Sequence, residues 1–175
     1  PLGEEFLARL QPYIWRKYLD FAAVADIQSL KRQIHAHKGH GEIAIKGHNL
    51  KLGRGGIREI ELFVQTQQLI AGGRNAALRG RRTVDMLDGL ALAGWISATT
   101  ALELKDAYWF LRRLEHRIQM IDDQQDHCVP SQEEAYETYA RFAGFESGDA
   151  LATTLRATLE TVVRHSEALF HQSGG

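Results

Sequence analysis

A chain of 175 residues, 44% of them hydrophobic and 25% charged, has the size and composition of one globular domain with a buried core. The formal net charge of −1 argues against binding of nucleic acid through bulk electrostatics, and no apolar stretch approaches the length of a membrane span. The single cysteine, Cys128, cannot form an internal disulfide, so the expected compartment is a reducing cytoplasm.

Helices are predicted along most of the chain, because only three prolines interrupt it and apolar residues recur at helical spacing. The first two helices are expected over residues 4–18, where Pro12 either kinks the helix or starts its second part, and over residues 21–36. Residues 42–46 and 49–52 form two short alternating runs between glycines, a pattern typical of a β-hairpin. This short hairpin near residues 42–52 is the only strand structure that the sequence predicts.

Five further helices are expected after the hairpin. They cover residues 56–71 and 83–93, then run from a cap at Ser97 to about residue 122, from a cap at Ser131 to about residue 143, and over residues 149–171. The predicted fold is therefore all-α, a helical bundle of about six or seven helices in a single domain over residues 1–175. Because the chain starts with proline rather than methionine, we expect it to be a fragment of a larger multidomain protein.

A glycine-rich segment, residues 51–56, precedes the helix at 56–71 and is called the glycine loop below. A flexible backbone that enters a helix N-terminus leaves amide groups unpaired, which suits an anion such as phosphate. The candidate nucleotide- or phosphate-binding residues are Lys51, Gly53, Arg54, Gly55, Gly56 and Arg58. The alternative is a turn that only lets the chain enter the helix, and the spacing matches neither a P-loop nor a dinucleotide fingerprint.

Charge is unevenly spread along the chain. Residues 31–58 contain seven lysines and arginines against one acid, Glu42, whereas many acids follow residue 121. A basic block that also carries the glycine loop is a better site candidate than either feature alone.

Residues 50–70 resemble a signature of the glutamine synthetase adenylyltransferase/adenylyl-removing enzymes, whose usual form is Lys-Leu-Gly-Pro-Gly-Gly-Ile-Arg-Glu-Ile-Glu-Phe. Here Arg54 stands where proline is usual, and Leu62 stands where phenylalanine is usual. Two more blocks fit the same family in the same order. They are residues 16–21, and residues 110–119 with the Asp-Asp-Gln-Gln run and Pro130 that follow them.

The resemblance implies a bifunctional enzyme with two nucleotidyltransferase cores. One core attaches AMP from ATP to a tyrosine of glutamine synthetase, and the other removes it by phosphorolysis to give ADP. The Ile-Arg-Glu-Ile-Glu form of the signature resembles the removing half, so the chain is expected to be the helical domain that follows the N-terminal core. Implied for the whole enzyme are magnesium, ATP, ADP and phosphate, with glutamine synthetase, the PII signalling protein and the enzyme's own cores as partners.

No catalytic residue, cofactor or metal site is expected within this chain. The family's Gly-Ser-Asp-x-Asp element, which holds the metal ions, is absent, and the adjacent acids Asp122 and Asp123 are interpreted as an exposed or capping pair. Residues expected to support the glycine loop are Glu59, Glu61, Glu115, His116 and Arg117. Glu59 and Glu61 lie on different helix faces, so at most one of them should point at the loop.

Two other interpretations remain open from the sequence. In the first, the chain is a non-catalytic interaction module for the PII protein. In the second, it is the equivalent domain of PII uridylyltransferase. If the glycine loop faces a catalytic core it is an active-site element, and if it faces solvent it is a docking surface.

Overall fold

The computed structural model describes residues 2–15, 26, 29, 42–121 and 127–171. Within these ranges it contains six α-helices and a short 3-10 helix, Ala76–Leu78. The α-helices are α1 (Leu2–Ile14), α2 (Ile57–Ala71), α3 (Thr83–Leu92), α4 (Ala98–Ile121), α5 (Glu133–Phe142) and α6 (Gly148–His171). No strand occurs in the described ranges, and the all-α prediction is confirmed. The helix expected over residues 21–36 lies outside the described residues except at Asp26 and Ser29.

Helix α2 is the centre of the bundle, because it contacts α3, α4 and α6. Its apolar stripe includes Ile57 and Ile60, both without exposed surface, and these pack in one core with side chains such as Leu111 of α4 and Leu155 of α6. Full burial of such a side chain stabilises a fold by about 1.5–3 kcal/mol. The N-terminus of α2, where the glycine loop ends, is therefore held by fully buried residues of the core.

The predicted helices agree closely with the structure from α2 onward. At the start of α4, the backbone amide of Thr100 donates to the Ser97 hydroxyl oxygen over 3.0 Å, so the predicted cap is confirmed. Helix α1 includes Pro12 and ends at Ile14, short of the expected residue 18.

The predicted β-hairpin is wrong. The two runs do not pair with each other, and Asn49 instead forms an isolated antiparallel bridge with Cys128. The amide of Leu50 donates to the His127 carbonyl over 2.8 Å, and the amide of Val129 donates to the His48 carbonyl over 2.9 Å. Most of residues 42–52 form turns and bends, and only Asn49 pairs in a bridge, with a residue far along the chain.

The same pairing explains a second correction. Ser131 does not cap α5, which begins at Glu133 with Gln132 as the N-cap residue and no side-chain cap. Residues 127–129 are extended against the segment before the glycine loop, so the helix starts later than the Pro130-Ser131 pair predicts. Glu133 then forms an ion pair with Lys46, which joins the first turn of α5 to the same segment. In the described part of the chain, no helix is long and apolar enough to cross a membrane.

Glu103 joins α4 to α6. Its Oε2 atom lies 2.5 Å from Nε2 of His165 and 2.9 Å from Nη2 of Arg164. The hydrogen bond with His165, assisted by the positive charge of Arg164, holds the pKa of the Glu103 carboxyl below its ordinary value although burial opposes the shift.

Glu103→Gln should therefore lower stability at neutral pH and lose this effect in acid. A carboxyl whose pKa is depressed in the folded state contributes stability above its unfolded pKa, and this contribution disappears as the pH falls through the folded value. Thermal unfolding of wild type and variant should differ at neutral pH and converge once the pH falls below the lowered folded pKa of Glu103. Glu160→Gln, at an exposed position of α6, is the control and should change little at either pH. A difference in melting temperature that persists in acid would contradict this assignment.

Candidate functional site

The glycine loop is built on a turn that the side chain of Asn49 closes. Its Oδ1 atom accepts hydrogen bonds from the amides of Lys51 (3.0 Å) and Leu52 (2.7 Å), while the amide of Gly53 donates to the Asn49 carbonyl over 2.7 Å. Asparagine favours such turns because its short amide side chain can replace a backbone acceptor. Sequence reasoning missed Asn49, although an asparagine just before a glycine-rich segment is a signal for this role.

The amides at the end of the loop are already paired within the protein. The amide of Ile57 donates to Leu50, that of Arg58 to Lys51, that of Gly56 to Gly53 and that of Glu59 to Gly56, over 2.9–3.0 Å in each case, and the amide of Gly55 donates to the Glu59 carboxylate. The expectation of unpaired amides facing an anion is therefore wrong for these five groups. An anion at this loop could not be held by these five amides, which leaves the basic side chains as its main candidate contacts.

Gly55 lies against the backbone of α6. Its φ angle is +74°, and a Cβ atom there would lie only 2.4 Å from the carbonyl oxygen of Leu159. Both the backbone angle and the close approach require glycine. The loop is thus pressed onto α6 at this residue, where the sequence suggested the approach of a ligand.

The three basic side chains of the candidate site differ in their surroundings. Arg54 reaches α6, where its Nη2 lies 2.9 Å from Oε1 of Glu167. Arg58 is more exposed, and its Nη1 lies 3.2 Å from Oε2 of Glu61. Lys51 is half-buried, and its ammonium forms no ion pair with any residue in the described ranges.

Three of the five supporting residues lie near the loop. Glu59 is buried and pairs with the amide of Gly55, while Glu61 pairs with Arg58, so only one of the two glutamates points into the loop, as their spacing predicts. Glu115 is buried and contacts His127, which is bonded to the residue preceding the loop.

The other two supporting residues do not reach the loop. His116 is exposed on α4, and the guanidinium of Arg117 donates to the carbonyl of Ala143 and lies over the ring of Phe142. The side chains of Glu115, His116 and Arg117 therefore point in three different directions, and of these three only Glu115 points toward the loop. His127 was missed from the sequence, because its contacts with Glu115 and Leu50 join distant parts of the chain.

An open groove of about 730 Å³ runs between Arg54 and the outer face of α6. Three arginines (Arg54, Arg156, Arg164) and three glutamates (Glu42, Glu160, Glu167) line it. The groove is polar and close to electrically balanced, so it does not by itself select an anion. In the described ranges no group of three or more histidine, cysteine or acidic residues is arranged to hold a metal ion, and Asp122 and Asp123 lie outside those ranges.

Comparison with known proteins supplies what geometry alone leaves open. The model of the GlnD PII-uridylyltransferase family matches residues 27–172. The chain belongs to this family. The curated relatives that it matches carry the name bifunctional glutamine synthetase adenylyltransferase/adenylyl-removing enzyme, so the resemblance found in the sequence is confirmed.

The similarity to these relatives extends over nearly the whole chain. Identity is 61% over 168 residues with the protein of Mesorhizobium japonicum, 61% over 170 residues with that of Rhizobium meliloti, and 55% over 171 residues with that of Brucella melitensis. These alignments cover 96%, 97% and 98% of the chain respectively. In each case the chain spans 17% of the length of the relative.

Gly55→Ala should destabilise the protein more than Gly94→Ala. The two glycines have almost the same φ, +74° and +75°, but a Cβ atom on Gly94 would have no neighbour within 4 Å. The backbone strain of alanine is about 1–2 kcal/mol at both sites, and the clash with Leu159 adds roughly a further 1–3 kcal/mol at Gly55. Urea unfolding of the two variants measures the difference directly. Equal losses would mean that the loop is not pressed against α6.

Proposed function

We propose that this chain is a helical domain of a bifunctional glutamine synthetase adenylyltransferase/adenylyl-removing enzyme and serves the half that removes AMP. The observation that carries the proposal is the identity of 61% over 96% of the chain with a relative of that name. The Ile-Arg-Glu-Ile-Glu form of residues 57–61 supports assignment to the removing half, because it resembles the signature of that half.

The glycine loop suits the role of a rigid phosphate-contacting element at the edge of an active site. Its backbone is fixed by internal hydrogen bonds and by the contact of Gly55 with α6. A preorganised loop holds its charged side chains in place without reorganisation during the reaction. Arg58 is the strongest candidate contact, because its side chain is 55% exposed and its partner Glu61 is on the same helix.

The chemistry of the whole enzyme would then be shared between domains. Carboxylates in the nucleotidyltransferase cores would hold magnesium, and ATP, ADP and phosphate would bind there, with this domain supplying basic side chains. The proposed partners are the enzyme's own cores, glutamine synthetase and the PII protein, in the cytoplasm.

A second candidate function is recognition of the PII protein, either as an interaction module or as the equivalent domain of a PII uridylyltransferase. The matched family is described as GlnD PII-uridylyltransferase, which favours this candidate. Titration of the chain with purified PII protein separates the two functions. Tight binding to the isolated chain that Arg58→Ala abolishes would make the glycine loop a docking surface.

In the full-length enzyme, Arg58→Ala should reduce removal of AMP far more than its attachment. Loss of a charge-assisted contact to a phosphoryl group costs about 1.5–3 kcal/mol, roughly a ten- to a hundredfold loss of rate when the contact acts in the transition state. Both activities are to be measured on one enzyme preparation with purified glutamine synthetase.

Arg9→Ala is the matched control for this experiment. Arg9 forms an exposed ion pair with Glu5 within α1, with the same 3.2 Å separation as the pair of Arg58 with Glu61. The control should leave both activities near wild type, since exposed pairs of this kind contribute only about 0.2–1 kcal/mol. If Arg58→Ala lowered attachment and removal equally, the loop would not belong to the removing half.

The chain on its own should neither attach nor remove AMP. The carboxylates that position the metal ions belong to the cores, and basic side chains without metal cannot replace them. The assay uses adenylylated and unmodified glutamine synthetase with magnesium and phosphate or ATP, with the full-length enzyme as the positive control. Turnover by the purified chain above that of a heat-inactivated sample would show that it carries its own catalytic centre.

A further inference from the structure

Glu115 is a buried carboxylate on the otherwise apolar buried face of α4. It is 3% exposed, on a helix whose other buried residues are apolar. One carboxylate oxygen lies 2.8 Å from Nη1 of Arg112, and the other lies 2.8 Å from Nδ1 of His127. A buried carboxylate is costly unless it is paired. The Nδ1 atom of His127 makes no hydrogen bond of good geometry, so its 2.8 Å approach to Glu115 is a close polar contact that places the ring against the carboxylate.

The backbone of His127 continues this connection to the glycine loop. Its carbonyl accepts the hydrogen bond from the amide of Leu50 over 2.8 Å. The carbonyl of Leu50 in turn accepts from the amide of Ile57, the first residue of α2, over 3.0 Å. The glycine loop lies between these two bonded residues, so a shift of His127 would move both ends of the loop.

We propose that Glu115 and His127 are positioning residues that set the place of the glycine loop relative to α4. The ligand of the glycine loop would be the phosphoryl group that Arg58 contacts, and in this respect the inference rests on the proposed function. The positioning itself rests only on the contacts within the chain.

The effect of losing this contact should be local. His127 lies outside the helices and is not one of the core residues, which come mainly from α2 to α6 and include its neighbours Leu50 and Val129. The neighbour His116 sits on the same helix as Glu115 but is exposed, and so provides a matched control of the same residue type. Asparagine at position 127 retains a nitrogen donor near the place of Nδ1, whereas alanine removes it.

Amide hydrogen exchange of the chain, resolved by residue, tests the positioning. In His127→Ala the amides of Leu50 and Ile57 should exchange roughly tenfold to a hundredfold faster, while the amides of Leu155 and Leu159 in α6 stay within about twofold of wild type. His127→Asn should restore most of the protection, and His116→Ala should leave all four amides unchanged. The same rise at Leu50 and Leu155 would indicate general destabilisation and overturn the inference, as would no change at Leu50.

Rates of AMP removal by the full-length enzyme separate this inference from the proposed function. Slower removal in His127→Ala, with recovery in His127→Asn that follows the exchange rates, supports both. Faster exchange at Leu50 with unchanged removal supports the positioning role and overturns the function proposed for the loop. Slower removal with unchanged exchange overturns the positioning role and leaves the proposed function standing.

Discussion

The close approach of Gly55 to the carbonyl of Leu159 is the constraint on which the site geometry depends. It places the loop directly on α6, and it does so at the point where the loop turns into the central helix α2. Because α2 also packs on α3 and α4, this single backbone contact relates the loop to most of the bundle. The position of the basic side chains is therefore a property of the whole fold rather than of a flexible connection.

This constraint also changes which groups are available to a ligand. A loop pressed onto a helix cannot leave its amides open, since a buried unpaired amide costs about 1–3 kcal/mol. The Glu59 carboxylate and the carbonyls of Leu50 and Lys51 meet that requirement from within the chain. Gly53, Gly55 and Gly56 thus serve packing and turn geometry. The anion proposed to bind here would be selected by the side chains of Lys51, Arg54 and Arg58.

Most helices could be predicted from the sequence, because their burial follows a local period. The stripe of α2 and the Ser97 cap of α4 are both set by residues within a few positions of each other. The bridge between Asn49 and Cys128 could not be predicted from the sequence. Pairing of extended segments depends on tertiary contacts that no local pattern records. The late start of α5 and the contact of Glu115 with His127 follow from that bridge, so they were beyond prediction as well.

The described part of the basic block of residues 31–58 is closer to charge balance in the structure than the sequence suggests. Its neutralising acids come from distant helices, with Glu133 of α5 beside Lys46 and Glu167 of α6 beside Arg54. A phosphoryl group at Arg54 would therefore compete with Glu167. Both side chains are partly exposed, so the existing pair contributes only about 0.2–1 kcal/mol, and a phosphoryl group at the same guanidinium would meet the same solvent screening. Displacing Glu167 would therefore cost little, and compensation by acids is compatible with a phosphate-contacting loop.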